Sequence, residues 1–168
     1  MLGQPDKRDF LEVRRDGYII SSDPSKLDLK YVLKFLTTEA YWSQGTDPTL
    51  IIEALKNSLV LGLFDDSGKQ VGFARVVTDY ALFAYLRDVF VDEAHRGRGL
   101  GVWITETALA HPRLQTVPSW MLATEDAHRV YEKAGFHALI HPEWYMQRLE
   151  KGLTRMPLSG PVDIIGHP

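Results

Sequence analysis

The chain has 168 residues, of which 45% are hydrophobic, so it is long enough to bury the core of one globular domain. Nineteen basic and 22 acidic residues give a net charge of −3, which excludes an overall basic field that would attract nucleic acid or an anionic membrane. The absence of cysteine excludes disulfides, thiolate metal sites and a cysteine acyl-enzyme. No apolar run reaches the roughly 18 residues of a membrane span, and the first residues lack the apolar centre of a signal peptide, so we expect a cytoplasmic protein.

The first third of the chain predicts a hairpin followed by two helices. β-prone residues from Phe10 to Ser21 surround Asp16-Gly17, which is a turn signal. Apolar residues at helical spacing between Leu27 and Leu36 then indicate a helix. Asp47-Pro48 marks the start of a second helix, which we expect to end before Leu59.

Three strands follow. The first two are β-rich runs, Leu59 to Phe64 and Val71 to Val77, and the loop between them, Asp65 to Gly68, has the composition of a hairpin turn. The third run extends from Phe83 to Val91 and follows a turn at Asp79-Tyr80, so we expect it to pair antiparallel with the second.

The third strand leads directly into the glycine loop, Arg96-Gly97-Arg98-Gly99-Leu100-Gly101, and then into a helix that ends near Ala110. Alternating glycines allow consecutive backbone N–H groups to face one concavity, to which the helix N-terminus and two arginines add positive charge. The spacing matches neither the dinucleotide fingerprint G-x-G-x-x-G nor a P-loop. The pattern indicates a site for an anion such as a pyrophosphate. The alternative is a glycine-rich connection without a ligand.

The last elements complete a strand-helix-strand crossover. We expect a strand from Trp120 to Ala123, parallel to the third, and a fourth helix with Asp126 as its N-cap. Final strands are expected at residues 138–140 and 144–149. Proline and glycine dominate the end of the chain, so we divide it into one domain, residues 1–150, and a C-terminal tail, residues 151–168. The tail could dock on its own domain or on a partner subunit through Val162, Ile164 and Ile165.

A second motif lies one helix and one strand beyond the glycine loop. Residues 124–136 read T-E-D-A-H-R-V-Y-E-K-A-G-F, and this resembles the form N-x-x-A-x-x-(L/V)-Y-x-K-x-G-F, with Thr124 in place of the asparagine. The form is a signature of the GNAT superfamily of N-acetyltransferases, whose acyl-CoA signature the glycine loop also resembles. Two signatures in the right order are more specific than either alone. The resemblance covers residues 85–136 closely and 10–150 loosely.

The resemblance implies a fold and a reaction. The fold class is α/β (α+β), with a mixed, mostly antiparallel central sheet, flanking helices and a parallel pair of strands that splay apart. The reaction is transfer of acetyl from acetyl-CoA, the acyl-donor cosubstrate, to a primary amine by direct attack in a ternary complex. We expect a small-molecule amine as acceptor and no nucleic acid or membrane partner, and a homodimer is left open.

The resemblance also assigns roles to residues. Tyr131 matches the tyrosine that donates a proton or a hydrogen bond to the leaving thiolate, although a core tyrosine is the alternative reading. Backbone N–H groups near Phe90 and Val91 would meet the acetyl carbonyl, and those of the glycine loop the pyrophosphate. The cofactor-binding residues so implied are Phe90, Val91, Arg96, Gly97, Arg98, Gly99, Leu100, Gly101 and Thr124.

A general base must take the proton of the amine. Our first candidate is Asp88, because strand alternation would bring residues 86, 88 and 90 to one face of the sheet near the splay. The second is Glu125, and a water chain that ends at either carboxylate is equally open. The alternatives are an ion pair of Asp88 with Arg75 or Arg87 and a helix cap for Glu125.

The resemblance locates acceptor recognition in the first two helices and the strand edges, where aromatic residues are concentrated. The candidates are Tyr41, Trp42, Phe73, Arg75, Asp79, Tyr80, Phe83 and Tyr85. Aromatic faces beside a carboxylate suit a cationic amine, but a hydrophobic core or a dimer surface would use the same residues. His137 and His141 have no third ligand at metal-site spacing, so we expect no metal.

Two other functions stay open at this point. The nearer alternative is an acetyltransferase that acts on a protein lysine or N-terminus. The more distant one is a non-catalytic acyl-CoA-binding module that senses the cofactor.

Overall fold

The computed structural model describes residues 10–149, which form one six-stranded sheet with the strand order β1-β2-β3-β4-β5-β6. All neighbouring strands are antiparallel except β5 and β6, which are parallel. The predicted fold class is confirmed. No helix within the described residues combines the length and the apolar character that crossing a lipid bilayer requires. The expected tail, residues 151–168, lies outside the described part of the chain.

The N-terminal hairpin forms where the turn signal indicated it. Strands β1 (Glu12–Arg15) and β2 (Tyr18–Ser21) are antiparallel. Asp16 and Gly17 between them have φ angles of 49° and 81°. Two consecutive left-handed residues match the right-handed twist of a hairpin, and Asp-Gly is a pair that tolerates them.

Helices α1 (Leu29–Lys34) and α2 (Pro48–Lys56) follow, as predicted. The carboxylate of Asp28 accepts the N–H of Tyr31 and caps α1, and that of Asp47 accepts the N–H of Thr49 and caps α2. Helix α1 continues into a π-helical turn, Phe35–Glu39. This turn carries the chain to the α1–α2 loop, which we define as residues 40–46.

The central strands are β3 (Leu59–Phe64), β4 (Gln70–Thr78) and β5 (Phe83–Val91), joined by the expected hairpin loops. Helix α3 (Leu100–Leu109) crosses to β6 (Ser119–Met121), and α4 (His128–Lys133) follows. Within the described part of the chain, strand β6 pairs with residues 83–85 of β5 and with no others. The second half of β5 therefore runs on beside an opening, which we call the splay, and the predicted parallel pair is confirmed.

The sheet has a hydrophobic layer on each face. On one face, helices α3 and α4 cover a cluster that includes Leu86, Val89 and Val91. On the other face, the α1–α2 region covers a second cluster that includes Phe73 and Phe90. The splay thus opens between two packed layers.

A β-bulge in β5 overturns one prediction. The register passes from Phe73 opposite Phe90 to Arg75 opposite Arg87, which leaves two residues of β5, Asp88 and Val89, against one of β4. Asp88 takes a φ angle of 53° there. The extra residue inverts the alternation of side chains, so the expectation that residues 86, 88 and 90 share one face is wrong.

The two final strands are also a wrong prediction. Residues 138–140 form no strand. A 3-10 turn, Pro142–Trp144, follows, and the described residues after it, up to 149, form no strand either. Proline cannot donate to a ladder, and local contacts replace pairing, such as the stacking of His141 on Trp144 with ring centroids 3.9 Å apart. The apolar side chains that looked half-buried are exposed, Ile140 by 77% and Met146 by 99%.

The start of α4 differs from the prediction as well. Ala127, and not Asp126, occupies the N-cap position. The hydroxyl oxygen of Thr124 accepts the N–H of Ala127 at 3.1 Å. Thr124, three residues before the N-cap, thus supports the turn for which the sequence predicts Asp126.

Candidate active site

The glycine loop joins the end of β5 to α3 at the mouth of the splay. Gly97 and Gly99 have φ angles of 75° and 72°, in the left-handed region that strains other residues, and Gly99 is the N-cap of α3. The first intrahelical bond runs from the N–H of Trp103 to the carbonyl of Gly99, at 3.0 Å. The N–H groups of the preceding residues therefore have no partner within the helix and face outward from its positive end.

One predicted donor is already used. The N–H of Arg96 bonds to the carbonyl of Glu93 at 3.2 Å and closes the 3-10 turn, Glu93–His95, that precedes the loop. The Arg96 side chain returns to β5, where its Nε donates to the carbonyl of Val91 at 3.1 Å. Arg96 therefore shapes the loop through its backbone and adds charge beside the end of β5.

Two residues of the N-terminal hairpin reach the glycine loop, and sequence reasoning missed both. Arg98 donates to the Tyr18 hydroxyl at 3.1 Å, and that hydroxyl also bonds His95 Nδ1 at 2.9 Å. Arg15 donates to the carbonyl of Gly99 at 3.4 Å. Contacts across about 80 residues depend on the sheet order, so no local signal in the sequence could reveal them.

Tyr131 lies on α4 and is 2% exposed. Its hydroxyl has no hydrogen-bond partner among residues 10–149, and burial raises its pKa above the usual range of a phenol. The side chain lines a cavity of about 280 Å³ between α4 and the chain that follows β6. A buried hydroxyl without a partner costs free energy, so a buried phenol in the wall of a cavity is a candidate for contact with a ligand.

The end of β5 directs one backbone donor into the splay. The N–H of Asp92 bonds to the carbonyl of Val71 at 2.8 Å, toward β4. Since N–H directions alternate along a strand and Gly72 lies opposite Val91, the N–H of Val91 points away from β4 and that of Phe90 toward it. Of the two predicted carbonyl donors, Val91 has the direction that a ligand in the splay requires.

Asp88 is held in an ion pair. Its carboxylate accepts Arg75 Nε at 2.7 Å and Trp42 Nε1 at 3.1 Å, and it is 4% exposed. Arg75 also donates to the hydroxyl of Ser58 at 3.1 Å. The alternative that we gave for Asp88, a pair with Arg75, is therefore present, and its role as a base stays a prediction.

Comparisons with known proteins agree with this geometry. Residues 56–138 match the model of the acetyltransferase (GNAT) domain. A crystal structure from Xanthomonas campestris pv. campestris, described as a GNAT-family acetyltransferase, is 40% identical and superposes with a TM-score of 0.77, over 82% of this chain and 96% of that one. The chain belongs to the GNAT family.

Two further proteins that are similar to this GNAT protein differ more from it in sequence. A Gibberella zeae protein described as an acetyltransferase is 28% identical, with 71% of this chain and 78% of the relative aligned. Glucosamine-6-phosphate N-acetyltransferase from Arabidopsis thaliana superposes with a TM-score of 0.53 over 85% of this chain and 98% of that one. At 17% identity, the latter shares the fold alone.

Two predicted site residues between β6 and α4 have different surroundings. Thr124 is half-buried, and its hydroxyl oxygen already accepts the Ala127 N–H, although it can still donate. Glu125 is exposed in the bend between β6 and α4. A cofactor contact for Thr124 and a base role for Glu125 stay predictions.

The predicted acceptor residues of this GNAT domain do not form one pocket. Asp79 accepts the N–H groups of residues 81–83 and holds the β4–β5 turn, and these bonds lower its pKa. Tyr80 stacks under the guanidinium of Arg113, 3.8 Å from the ring centroid. Phe73 is fully buried in the core.

The remaining candidates lie on the α1–α2 side of the sheet. Tyr41 is 37% exposed and contacts Trp42 edge-on, with ring centroids 5.2 Å apart. The hydroxyl of Tyr85 is buried and has no hydrogen-bond partner in the described part of the chain, and burial raises its pKa. Tyr41 also adds to the raised pKa of Tyr131, after burial itself, so these two phenols lie near each other.

Proposed function

We propose that this protein transfers the acetyl group of acetyl-CoA to a primary amine of a small molecule, by direct attack in a ternary complex. The observation that carries the proposal is Tyr131, whose buried hydroxyl has no hydrogen-bond partner within residues 10–149 and whose side chain belongs to the wall of the cavity between α4 and the chain that follows β6. The glycine loop, with its outward N–H groups, follows the C-terminal end of β5, whereas the β4–β5 turn precedes the N-terminal end of that strand.

The residues present suit acetyl-CoA at both of its ends. A pyrophosphate would meet the N–H groups between Gly97 and Gly101 and the charges of Arg96 and Arg98. A thioester in the splay would meet the N–H of Val91 and the hydroxyl of Tyr131. Acetyl-CoA supplies an activated acyl group, and the protein supplies hydrogen-bond donors where charge develops.

Tyr131 acts as the acid in this proposal. Because burial raises its pKa, the phenol keeps its proton at neutral pH and can donate to the thiolate that departs. The N–H of Val91 would stabilise the negative charge on the acetyl oxygen. Both donors belong to packed elements, so they are oriented before a ligand arrives.

The acceptor must lose a proton before it attacks. Asp88 keeps both carboxylate oxygens on Arg75 and Trp42, so we propose that the proton leaves through water toward a carboxylate, with Asp88 and Glu125 as the two candidates. Tyr41 and Phe83 leave part of their rings exposed, and such faces suit a small cationic amine.

Calorimetry tests the proposal. We expect acetyl-CoA and free CoA to bind, and NAD and ATP to bind at least tenfold more weakly. Gly99→Asp should weaken acetyl-CoA binding, because it adds a negative charge at the phosphate loop. Gly99→Asn is the matched control, since asparagine has the same size, tolerates a positive φ angle and is neutral.

Thiol release with a panel of primary amines then tests catalysis. Release of CoA that depends on an amine supports acetyl transfer. Binding of acetyl-CoA without release under any amine of a broad panel would favour the sensor function. Absence of CoA binding would overturn the proposal as a whole.

A further inference from the structure

We propose that Arg15, on the N-terminal hairpin, is a third guanidinium of the phosphate site and binds the ribose 3′-phosphate of CoA. The inference rests on the proposed function and deepens it. It concerns a residue outside both sequence signatures, on the strand farthest from the splay in the sheet order.

The hairpin holds the glycine loop with two side chains. Arg15 and Tyr18 are cross-strand partners on either side of the turn, so their side chains share a face. That face packs against α3, where Tyr18 belongs to the core cluster. Arg15 reaches the carbonyl of Gly99, and Tyr18 reaches Arg98 and His95.

Two contacts orient the guanidinium of Arg15. Its guanidinium lies over the ring of Trp103, 4.5 Å from the centroid, one turn into α3. Its Nη2 donates to the carbonyl of Gly99 at 3.4 Å. A guanidinium has five N–H donors in a planar fork, so several remain for a phosphate, and the stacking reduces the entropy lost on binding.

The three guanidinium groups of the loop region bind neutral oxygens. Arg15 donates to a carbonyl, Arg96 to a carbonyl and Arg98 to a phenol. Within residues 10–149, neither Arg96 nor Arg98 has a carboxylate within 4.0 Å, and Arg15 has only a contact of 3.9 Å to Asp16, whose side chain is 89% exposed. The positive charge at the start of α3 is therefore largely uncompensated.

The number of charges favours a third phosphate. The diphosphate of CoA carries about two negative charges, which Arg96, Arg98 and the helix N-terminus can match. A phosphate monoester adds about −1.5 to −2 at pH 7. The 3′-phosphate is the group by which CoA differs from dephospho-CoA, so a third cation that binds it would select CoA.

Calorimetry with CoA and with dephospho-CoA tests this assignment. Arg15→Gln should weaken CoA binding about tenfold and change dephospho-CoA binding less than about twofold. Arg15→Lys, which keeps the charge, should recover most of the loss. Arg14→Gln is the matched control, because it removes the same charge from the same strand. The side chain of Arg14 faces the opposite side of the sheet, where it bonds to Glu12 at 2.9 Å.

The outcomes separate this inference from the proposed function. An equal loss of affinity for CoA and dephospho-CoA in Arg15→Gln would mean that Arg15 supports the glycine loop or binds the diphosphate, and it would overturn the 3′-phosphate contact. Unchanged binding of both, or an equal loss in Arg14→Gln, would overturn it as well. Failure of the unaltered protein to bind either ligand would overturn the proposed function, on which the inference depends.

Discussion

Tyr131 combines a structural cost with a proposed chemical role. Its hydroxyl is buried without a hydrogen-bond partner among the residues that the structure describes, which costs about 1 kcal/mol or more. We therefore expect Tyr131→Phe to raise the free energy of unfolding by about 1 kcal/mol. The same change should lower turnover about 100-fold, because it removes the acid, and leave acetyl-CoA affinity within about twofold.

Urea unfolding, calorimetry and steady-state rates measure the three effects of Tyr131→Phe. Tyr145→Phe serves as control, because Tyr145 is 51% exposed and should change none of them. An unchanged rate at every pH would remove Tyr131 from the acid role. A loss of stability would show that its hydroxyl has a partner in solution, such as water.

Asp88 is a residue whose stability role can be separated from its proposed role as a base. The Asp88 and Arg75 side chains are only 6% and 10% exposed. Removal of one partner from a buried pair leaves an uncompensated charge, so we expect Asp88→Asn to lower the free energy of unfolding by about 3 kcal/mol. Asparagine also tolerates the positive φ angle, so backbone strain does not contribute.

The control for Asp88→Asn is Asp66→Asn, at an exposed position in the β3–β4 turn, and urea unfolding at neutral pH measures both. Equal stability of the Asp88 variant and the unaltered protein, together with a large loss of turnover, would favour Asp88 as the base. A loss of stability with turnover retained at low temperature would assign it to the ion pair alone.

At the level of elements, the close contact of β4 with β5 fixes the end of β5 that faces the splay. A Cβ on Gly72 would lie 2.8 Å from the carbonyl oxygen of Phe90 and 2.9 Å from Leu63 Cδ2. Backbone cannot move aside cheaply, so we expect Gly72→Ala to lower the free energy of unfolding by about 2 kcal/mol.

Gly72→Ala should also weaken acetyl-CoA binding, because Gly72 lies opposite Val91, the proposed donor. Val77→Ala on the same strand is 39% exposed and should change stability by about 0.5 kcal/mol or less. If Gly72→Ala is as stable as this control, the two strands are less tightly packed than the structure indicates.

The sequence predicts those elements whose signals are local. Asp16-Gly17 identifies the first turn, Asp47-Pro48 the start of α2 and the glycine loop the start of α3, since each turn depends on neighbours in sequence. The bulge at Asp88 has no such signal, because it depends on how β4 and β5 pair. The wrong final strands have apolar residues at strand spacing, but the described chain gives them no partner.

At the scale of the whole molecule, the candidate site also combines segments with a local sequence signal and residues that only the fold brings together. The glycine loop and the Tyr131 motif are continuous segments, and the order in which they occur predicts that they meet at the splay. The side chains that contact the glycine loop, Arg15 and Tyr18, come from the first hairpin, and Trp42, which binds Asp88 of β5, comes from the α1–α2 loop. Only the assembled sheet brings these residues to the site, so composition and spacing cannot identify them.

Three phenols distributed over both layers predict how the whole protein responds to alkali. Burial raises the pKa of Tyr85 and of Tyr131, and burial together with a hydrogen bond to Asp92 raises that of Tyr31. The unfolded chain loses these protons near pH 10, while the folded protein keeps them. The free energy of unfolding therefore falls as pH rises above about 10, and below that pH the contribution of these tyrosines to stability is fully present.

We expect the urea midpoint to be constant from pH 7 to 9 and to fall between pH 10 and 11. Each tyrosine that stays protonated in the folded protein lowers the free energy of unfolding by about 1.4 kcal/mol at pH 11, relative to neutral pH. Lysines titrate in the same range, so the comparison of variants isolates the phenol: Tyr131→Phe should decline less steeply than the unaltered protein, and Tyr145→Phe equally. If the urea midpoint falls equally steeply with pH in all three proteins, Tyr131 ionises in the folded protein as readily as in the unfolded chain. Burial would then not keep the proton on the phenol, and Tyr131 could not be the proposed acid.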